Sequence, residues 1–299
     1  MGSPASGVSS AWSVALRLGR VSNLPTVWTN VLAGTVLAGG AAWSPRTAVV
    51  MLAISLFYIG GMFLNDAFDR EFDARERPER PIPAGEISAS SVFAAGFALL
   101  ASGFMLLLIA GYAMSGGTGL SAALGGAGLA GAIVLYDAWH KGNKLSPLLM
   151  GLCRMLVYVI AGAAVSATLP TPLWVAALVC LAYLIGHTYV AKQETLSRVE
   201  NLWPLLFLAA PLIYAPALVG AGMIAILIGV VLVAWVLYAI SILLRPGPGR
   251  VPRAVVSLIA GISLVDGVFI ASQGQVELAL LAVVAFVLTL AFQRYVSGT

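Results

Sequence analysis

Residues 62–85 read MFLNDAFDREFDARERPERPIPAG, and the reading of the whole chain turns on them. An apolar run gives way at Asn65 to interleaved acids and bases, closed by Pro78, Pro81, Pro83 and Gly85, which stop a helix and stiffen the loop beyond it. Asn65, Asp69 and Asp73 recur every four residues. If the apolar helix continues through them they share one face, drifting by about 40° per step, and Asp66 joins the same side. One amide and up to three carboxylates then converge without an equal number of cations on that face. Hard oxygen ligands in that arrangement suit Mg²⁺, which keeps several waters and is usually held by one or two carboxylates together with substrate phosphates. A diphosphate or similar ligand is therefore expected, with Arg70, Arg75, Arg77 and Arg80 as cations for it or for the carboxylates. The competing reading is a solvated loop of mixed charge beside a membrane helix.

Composition sets the surroundings of this stretch. With 60% hydrophobic residues, 9% charged residues and a mean hydropathy of +0.98, the 299-residue chain is read as an integral membrane protein, not a soluble domain. No shift in composition marks a linker, so a single transmembrane domain over 1–299 is expected, with residues 1–10 disordered. That opening stretch lacks the basic start and apolar run of a signal peptide. Cys153 and Cys180 both fall in apolar segments without metal-binding spacing and read as small core residues.

Apolar segments suited to spans cover roughly 26–42, 47–65, 89–112, 119–138, 147–167, 172–190, 203–219, 221–243, 254–272 and 276–296. The fold class expected is all-α, a polytopic helical bundle of about nine or ten spans around a central cavity. The boundary at 219–221 is the least distinct. With the N-terminus cytoplasmic, 14 of the 16 Lys and Arg residues fall on the inner side, the exceptions being Arg46 outside and Arg154 within a span. The positive-inside rule thus places the 62–85 stretch at the cytoplasmic face of a bacterial or archaeal-type inner membrane. The net charge of +4 reports topology and contact with anionic membrane lipid, and no motif supports nucleic-acid binding.

Two more inner loops carry polar chemistry. Tyr136, Asp137, His140, Lys141, Asn143 and Lys144 end the fourth span, as a phosphate site would need, although interfacial anchoring explains Tyr136, Trp139 and the lysines equally well. His187, Lys192, Gln193, Glu194, Arg198, Glu200 and Asn201 end the sixth. Glu194 is a candidate second-metal ligand, and His187, seven residues earlier, shares its helical face unless it is simply a hydrogen-bonded imidazole. Arg154 is costly inside a span unless it faces a polar cavity or snorkels. Asp266 stays unassigned, either a cavity residue or a carboxylate packed against a hydroxyl.

The residues resemble the UbiA superfamily of intramembrane prenyltransferases. Asn65 to Asp73 matches that superfamily's NDxxDxxxD pattern in full, and Arg77 to Gly85 is similar to its continuation. Residues 16–34, LRLGRVSNLPTVWTNVLAG, resemble its opening segment, and Tyr136 with Lys141 its Tyr and Lys pair. The resemblance implies about nine helices around a cavity and an isoprenyl diphosphate held through Mg²⁺ between two Asp-rich motifs. Carried over, Asn65, Asp66, Asp69 and Asp73 hold metal; Asn65, Asp69, Asp73 and Lys141 are catalytic; and Asn23, Arg70, Arg77, Arg80, Tyr136, Arg154 and Lys192 bind substrate. The second motif departs from the pattern, with His187 to Glu194 (HTYVAKQE) where acids are usual, similar to the divergent EboC-like branch. There His187 and Glu194 stand as metal ligands and Lys192 as a substitute charge.

The activity this implies is Mg²⁺-dependent transfer of a prenyl group to an unidentified acceptor, with Trp28, Tyr158, Tyr183 and Tyr189 as candidate cation-stabilising rings. A terpene cyclase on the same scaffold and a non-catalytic isoprenoid-lipid binding or transport protein are the alternatives.

Overall fold

A computed structural model describes residues 11–192, 202–245, 247 and 249–298. The described residues form helices joined by turns and loops, with no strand among them. In order, the helices are α1 Ala11–Leu18, α2 Leu24–Leu37, α3 Pro45–Phe68, α4 Arg70–Glu76, α5 Ala89–Tyr112, α6 Ser121–Trp139, α7 Ser146–Ala163, α8 Thr171–Ala191, α9 Ala215–Ala221, α10 Met223–Leu244, α11 Arg250–Ser272 and α12 Val276–Phe292. Short 3₁₀ helices cover Val21–Asn23 and Trp203–Tyr214. Eight described helical stretches are long and apolar enough to cross a membrane. With α2 of 14 residues and α12 of 17 beside them, the architecture is the polytopic bundle the hydropathy pattern implies.

Starts are set by local chemistry. Ser44 accepts a hydrogen bond from the Thr47 amide (3.1 Å) with Pro45 at the first helical position, and Ser88 does the same for Ser91 (3.1 Å). The expected seventh span is built differently. Pro204 and Pro211 each remove an amide donor, so Trp203–Tyr214 winds as a 3₁₀ helix and only Ala215–Ala221 is α-helical. The boundary that was indistinct at 219–221 is Gly222, whose φ of 101° suits glycine alone.

In lipid, close helix packing depends on small residues. Helices α3 and α5 meet that way: a Cβ on Gly60 would lie 2.9 Å from the Gly96 carbonyl, and one on Gly103 would lie 2.8 Å from the Ala53 carbonyl. Helix α11 is the centre of the second half of the chain, packed by α2, α8, α10 and α12, whereas α5 and α10 turn much of their surface outward.

A polar knot joins α2, α7 and α11. Asp266, wholly buried, accepts two bonds from Asn30 Nδ2 (2.8 and 2.7 Å) and further bonds from Thr29 and Tyr158. Asn30 Oδ1 in turn accepts from Arg154 Nη1 (2.6 Å), and Thr26 Oγ1 accepts from Arg154 Nη2 (3.0 Å). Asp266 is thus a packing carboxylate satisfied by Asn30, Thr29 and Tyr158, with the half-buried guanidinium of Arg154 one partner away.

Candidate active site

A cavity of about 290 Å³ opens among α2, α3, α6, α7, α8 and α11. Its interior is apolar, with Val27, Ile54, Phe57, Leu129, Ile133, Val157 and Ile262 on the walls. One end is lined by Arg20, Asn65, Asp69, Arg77, Arg80, Tyr136, Asp137, His140 and Lys141. An amphiphile with a charged head and a hydrocarbon tail fits that division of surface.

The four-residue spacing acts as expected. Helix α3 ends at Phe68 and α4 starts at Arg70, but the Asp69 amide still bonds the Asn65 carbonyl (2.9 Å) and the Asp73 amide the Asp69 carbonyl (2.8 Å). The helical path is thereby kept through the joint. Asn65 and Asp69 face the cavity. Asp66 and Asp73 lie behind them.

The expectation of a cation deficit on this face is corrected by the packing. Arg20, delivered from the turn after α1, donates to Asp66 (2.9 Å) and to Asn65 Oδ1 (3.2 Å). Arg80 Nη1 bridges Asp66 (3.1 Å) and Asp73 (2.9 Å). Lys141 lies 3.0 Å from Asp69, and His140 Nε2 lies 3.4 Å from the same oxygen. The charge balance comes from across the fold, where helical spacing cannot show it.

The two acids nevertheless sit in opposite electrostatic states. Burial acts to raise the Asp69 pKa, but hydrogen bonding and charge from His140 and Lys141 outweigh it and hold the carboxyl below its usual range. Burial raises Asp73, the Arg80 guanidinium only partly opposes it, and the nearby Asp69 and Asp66 push the same way as burial. Asp73 Oδ1 has no hydrogen-bond partner, nor has Asp137 Oδ2.

Arg20 joins the site without having been singled out for it, whereas Asp137 and His140 come from the loop expected to serve a phosphate. Arg20 holds a left-handed backbone (φ 42°) just after Gly19, a conformation rare outside glycine and often found at functional sites. Asp137 accepts from Asn65 Nδ2 (3.1 Å), and His140 stacks on Tyr136 with centroids 4.9 Å apart. The only sequence cue for Arg20 was its place in the 16–34 segment. Asn23 is present at the wall, where its Nδ2 bonds the Gly298 carbonyl (2.9 Å) and the Tyr58 hydroxyl (3.3 Å).

Other expected residues fall elsewhere. Arg70 turns off the cavity, bonded to the Ala67 carbonyl (3.1 Å) and Glu71 (3.3 Å), because the residue after Asp69 is rotated by about 100° around the helix. Lys192 ties α8 to the start of α7 through the Asn143 carbonyl (2.6 Å) and Ser146 Oγ (2.9 Å). Trp28 is bonded to Ser55 Oγ (3.1 Å), Tyr183 to the Leu258 carbonyl (3.0 Å), and Tyr158 to Asp266. None of these three rings lines the cavity, nor does Tyr189; Phe57, Tyr58 and Tyr136 do. Arg154 and His187 line the wall deeper in, and Glu194 lies outside the described residues.

Among the described residues, no three His, Cys, Asp or Glu side chains are gathered as a ready metal cage. The donors gathered there are hard oxygens, with Asn65, Asp69 and Asp137 on the cavity wall and the buried Asp73 Oδ1 and Asp137 Oδ2 left without a hydrogen-bond partner. That chemistry fits Mg²⁺ completed by ligand phosphates and water, and it does not fit a metal that demands a full protein cage.

Against known proteins, the profile of the UbiA prenyltransferase family matches residues 26–254. The chain is 36% identical over 92 residues to a digeranylgeranylglyceryl phosphate synthase of Methanothrix thermoacetophila, a match covering 30% of this chain and 34% of that protein. It is 30% identical over 142 residues to a protoheme IX farnesyltransferase of Bacillus pumilus, covering 46% of this chain and 44% of the other. These alignments thus span from about a third to under half of the relatives' lengths. In fold, it superimposes on the apo structure of a UbiA homolog from Aeropyrum pernix K1 with a TM-score of 0.61 at 15% identity, covering 85% of this chain and 98% of that one.

Proposed function

The chain belongs to the UbiA prenyltransferase family, and on that premise we propose that it ionises an isoprenyl diphosphate in a Mg²⁺-dependent step and transfers the prenyl group to an acceptor. The observation that carries this reading is the division of one cavity into an apolar interior and an end where Asn65 and Asp69 meet Arg77, Arg80 and Lys141. The tail lies along the apolar walls. The head meets the polar end.

Asn65, Asp66, Asp69 and Asp73 would hold Mg²⁺, which supplies positive charge to the departing diphosphate. Arg77, Arg80 and Lys141 orient the diphosphate oxygens and stabilise charge as the allylic C–O bond breaks and its electron pair leaves with diphosphate. Arg20 and His140 hold Asp66 and Asp69 in place meanwhile. The rings of Phe57, Tyr58 and Tyr136 line the cavity and would stabilise the allylic cation, and the apolar walls keep water from capturing it. A nucleophilic atom of the acceptor then forms the new bond and gives up its proton. The names of the relatives, a glyceryl phosphate synthase and a protoheme farnesyltransferase, favour acceptor-dependent transfer. The distribution of Lys and Arg between the spans, read by the positive-inside rule, favours a site on the cytoplasmic side.

The test is incubation of purified protein in lipid nanodiscs with Mg²⁺ and geranyl, farnesyl or geranylgeranyl diphosphate, reading diphosphate release and product. Release that depends on Mg²⁺ and rises with an added acceptor is expected. A hydrocarbon product without acceptor would identify a cyclase, and binding with no release from any of the three would replace the enzyme with a carrier.

A further inference from the structure

Helix α6 repeats the spacing of α3. Leu129, Ile133 and Asp137 recur every four residues along it and all line the cavity, so the polar end has a carboxylate from each of two packed helices, Asp69 at the end of α3 and Asp137 in the last turn of α6. Asp137 is only 5% exposed. Its Oδ1 accepts from Asn65 Nδ2 (3.1 Å), which fixes the plane of the carboxylate, and its Oδ2 has no hydrogen-bond partner.

The charges around it do not supply one. Asp66 lies 2.9 Å from Arg20 and 3.1 Å from Arg80, Asp73 lies 2.9 Å from Arg80, and Asp69 lies 3.0 Å from Lys141. Among the described residues Asp137 is the one acid of this end with no cation at ion-pair distance. Arg20, which shares Asn65 with it, is spent on Asn65, Asp66 and the Met62 sulfur (3.5 Å). A buried carboxylate oxygen left in this way is costly, and few are found in folded proteins without a partner that arrives later. A proton would serve a solitary acid. Asp137 is not solitary: it holds the amide of Asn65 and lies within reach of the Asp69 charge, so whatever satisfies Oδ2 meets hard oxygens from both helices. A small divalent cation gains most from that surrounding.

We propose that Asp137 is a metal ligand, and that the Mg²⁺ of this site is clamped between α3 and α6, by Asn65 and Asp69 from one helix and Asp137 Oδ2 from the other. This rests on the prenyl-transfer reading and says which two helices grip its metal. Helix α8, where His187 stands, then carries no share of it. Lys141 follows Asp137 by four residues, so α6 and the turn after it bring a metal ligand and a cation for diphosphate to the same place.

The experiment titrates Mn²⁺, read by its electron paramagnetic resonance, into the full chain in nanodiscs of uncharged lipid, with and without inorganic diphosphate, in parallel with Mg²⁺-dependent diphosphate release from farnesyl and geranylgeranyl diphosphate. Asp137→Asn keeps the size and the bond to Asn65 but removes the charge. It is expected to weaken Mn²⁺ by at least about tenfold, to lose most of the rise in melting midpoint that Mn²⁺ gives wild type, and to leave the metal-free midpoint unchanged or higher. His187→Ala is expected to leave Mn²⁺ affinity as it is. Should Asp137→Asn lower the metal-free midpoint, Asp137→Cys carries the test instead, because a thiolate ligand turns the preference from Mn²⁺ toward Cd²⁺ relative to wild type; an unchanged preference overturns the proposal. Wild-type Mn²⁺ affinity in a folded Asp137→Asn overturns it even where diphosphate release is intact. So does a loss in His187→Ala as large as that in Asp137→Asn, which would put the metal between α3 and α8. Weakened Mn²⁺ in Asp137→Asn of a protein that releases diphosphate from neither substrate would keep the ligand and remove the enzymatic reading.

Discussion

Asp69 and Asp73 are one helical turn apart and share a motif, yet their surroundings give opposite expectations. Asp69 faces the cavity beside Lys141 and His140 and is held below the usual carboxylate range, so its charge stabilises the fold and meets the ligand. Its stabilising share is present above the unfolded pKa and is lost as pH falls through the lowered folded pKa. Asp73 is raised by burial, so its charge is a burden at neutral pH, relieved as pH falls through the raised folded value. Asp69→Asn is therefore expected to lower the melting midpoint at neutral pH and to reduce turnover by at least about a hundredfold. Asp73→Asn keeps or raises the midpoint, since Arg80 retains Asp66, and acts on the Mg²⁺ requirement. Melting curves and Mg²⁺ titrations of the pair check this, and a midpoint that falls equally in both would reject the electrostatic assignment. The acids were legible because four-residue spacing is a local signal. Arg20 was not, since it reaches Asp66 from 46 positions away in sequence, and no local pattern carries that pairing.

At the scale of the helices, the site depends on α3 lying close to α5. A larger side chain at Gly60 collides with backbone, not with a yielding side-chain tip, so Gly60→Leu must push α3 away and move Asn65 and Asp69 with it. A stability loss of about 1–3 kcal/mol with reduced activity is expected. Gly128→Ala, on α6 where nothing lies within 4 Å, should be neutral or slightly stabilising. Equal melting midpoints for the two variants would show that the α3–α5 contact does not set the site. Hydropathy located the helices because burial and lipid exposure both select apolar residues. It could not separate the 3₁₀ segment Trp203–Tyr214 from a regular span, since an apolar run reads the same in either helix and only Pro204 at its start and Pro211 within it record the difference.

For the whole molecule, the distribution of Lys and Arg predicts which end faces the cytoplasm. Ala84 is exposed beside the charged end, and Gln273 is exposed in the turn between α11 and α12. Single cysteines at these positions, in a chain with Cys153 and Cys180 replaced by alanine, should be labelled from opposite sides of the membrane, Ala84→Cys from the cytoplasmic one. Gln273 is chosen over Gly274, whose φ of 75° disfavours a side chain. Labelling from one side would overturn the inferred topology. The knot at Asp266 also bears on how the chain is made. Its partners Thr29 and Asn30 leave the ribosome more than two hundred residues before it does. Until α11 follows them into the membrane, Thr29 and Asn30 lack the carboxylate that accepts their hydrogen bonds, in a solvent that does not tolerate an unpaired amide. The early helices must wait in a water-accessible or chaperoned setting, and a nascent chain arrested before residue 266 should remain open to proteolysis where the finished protein is not.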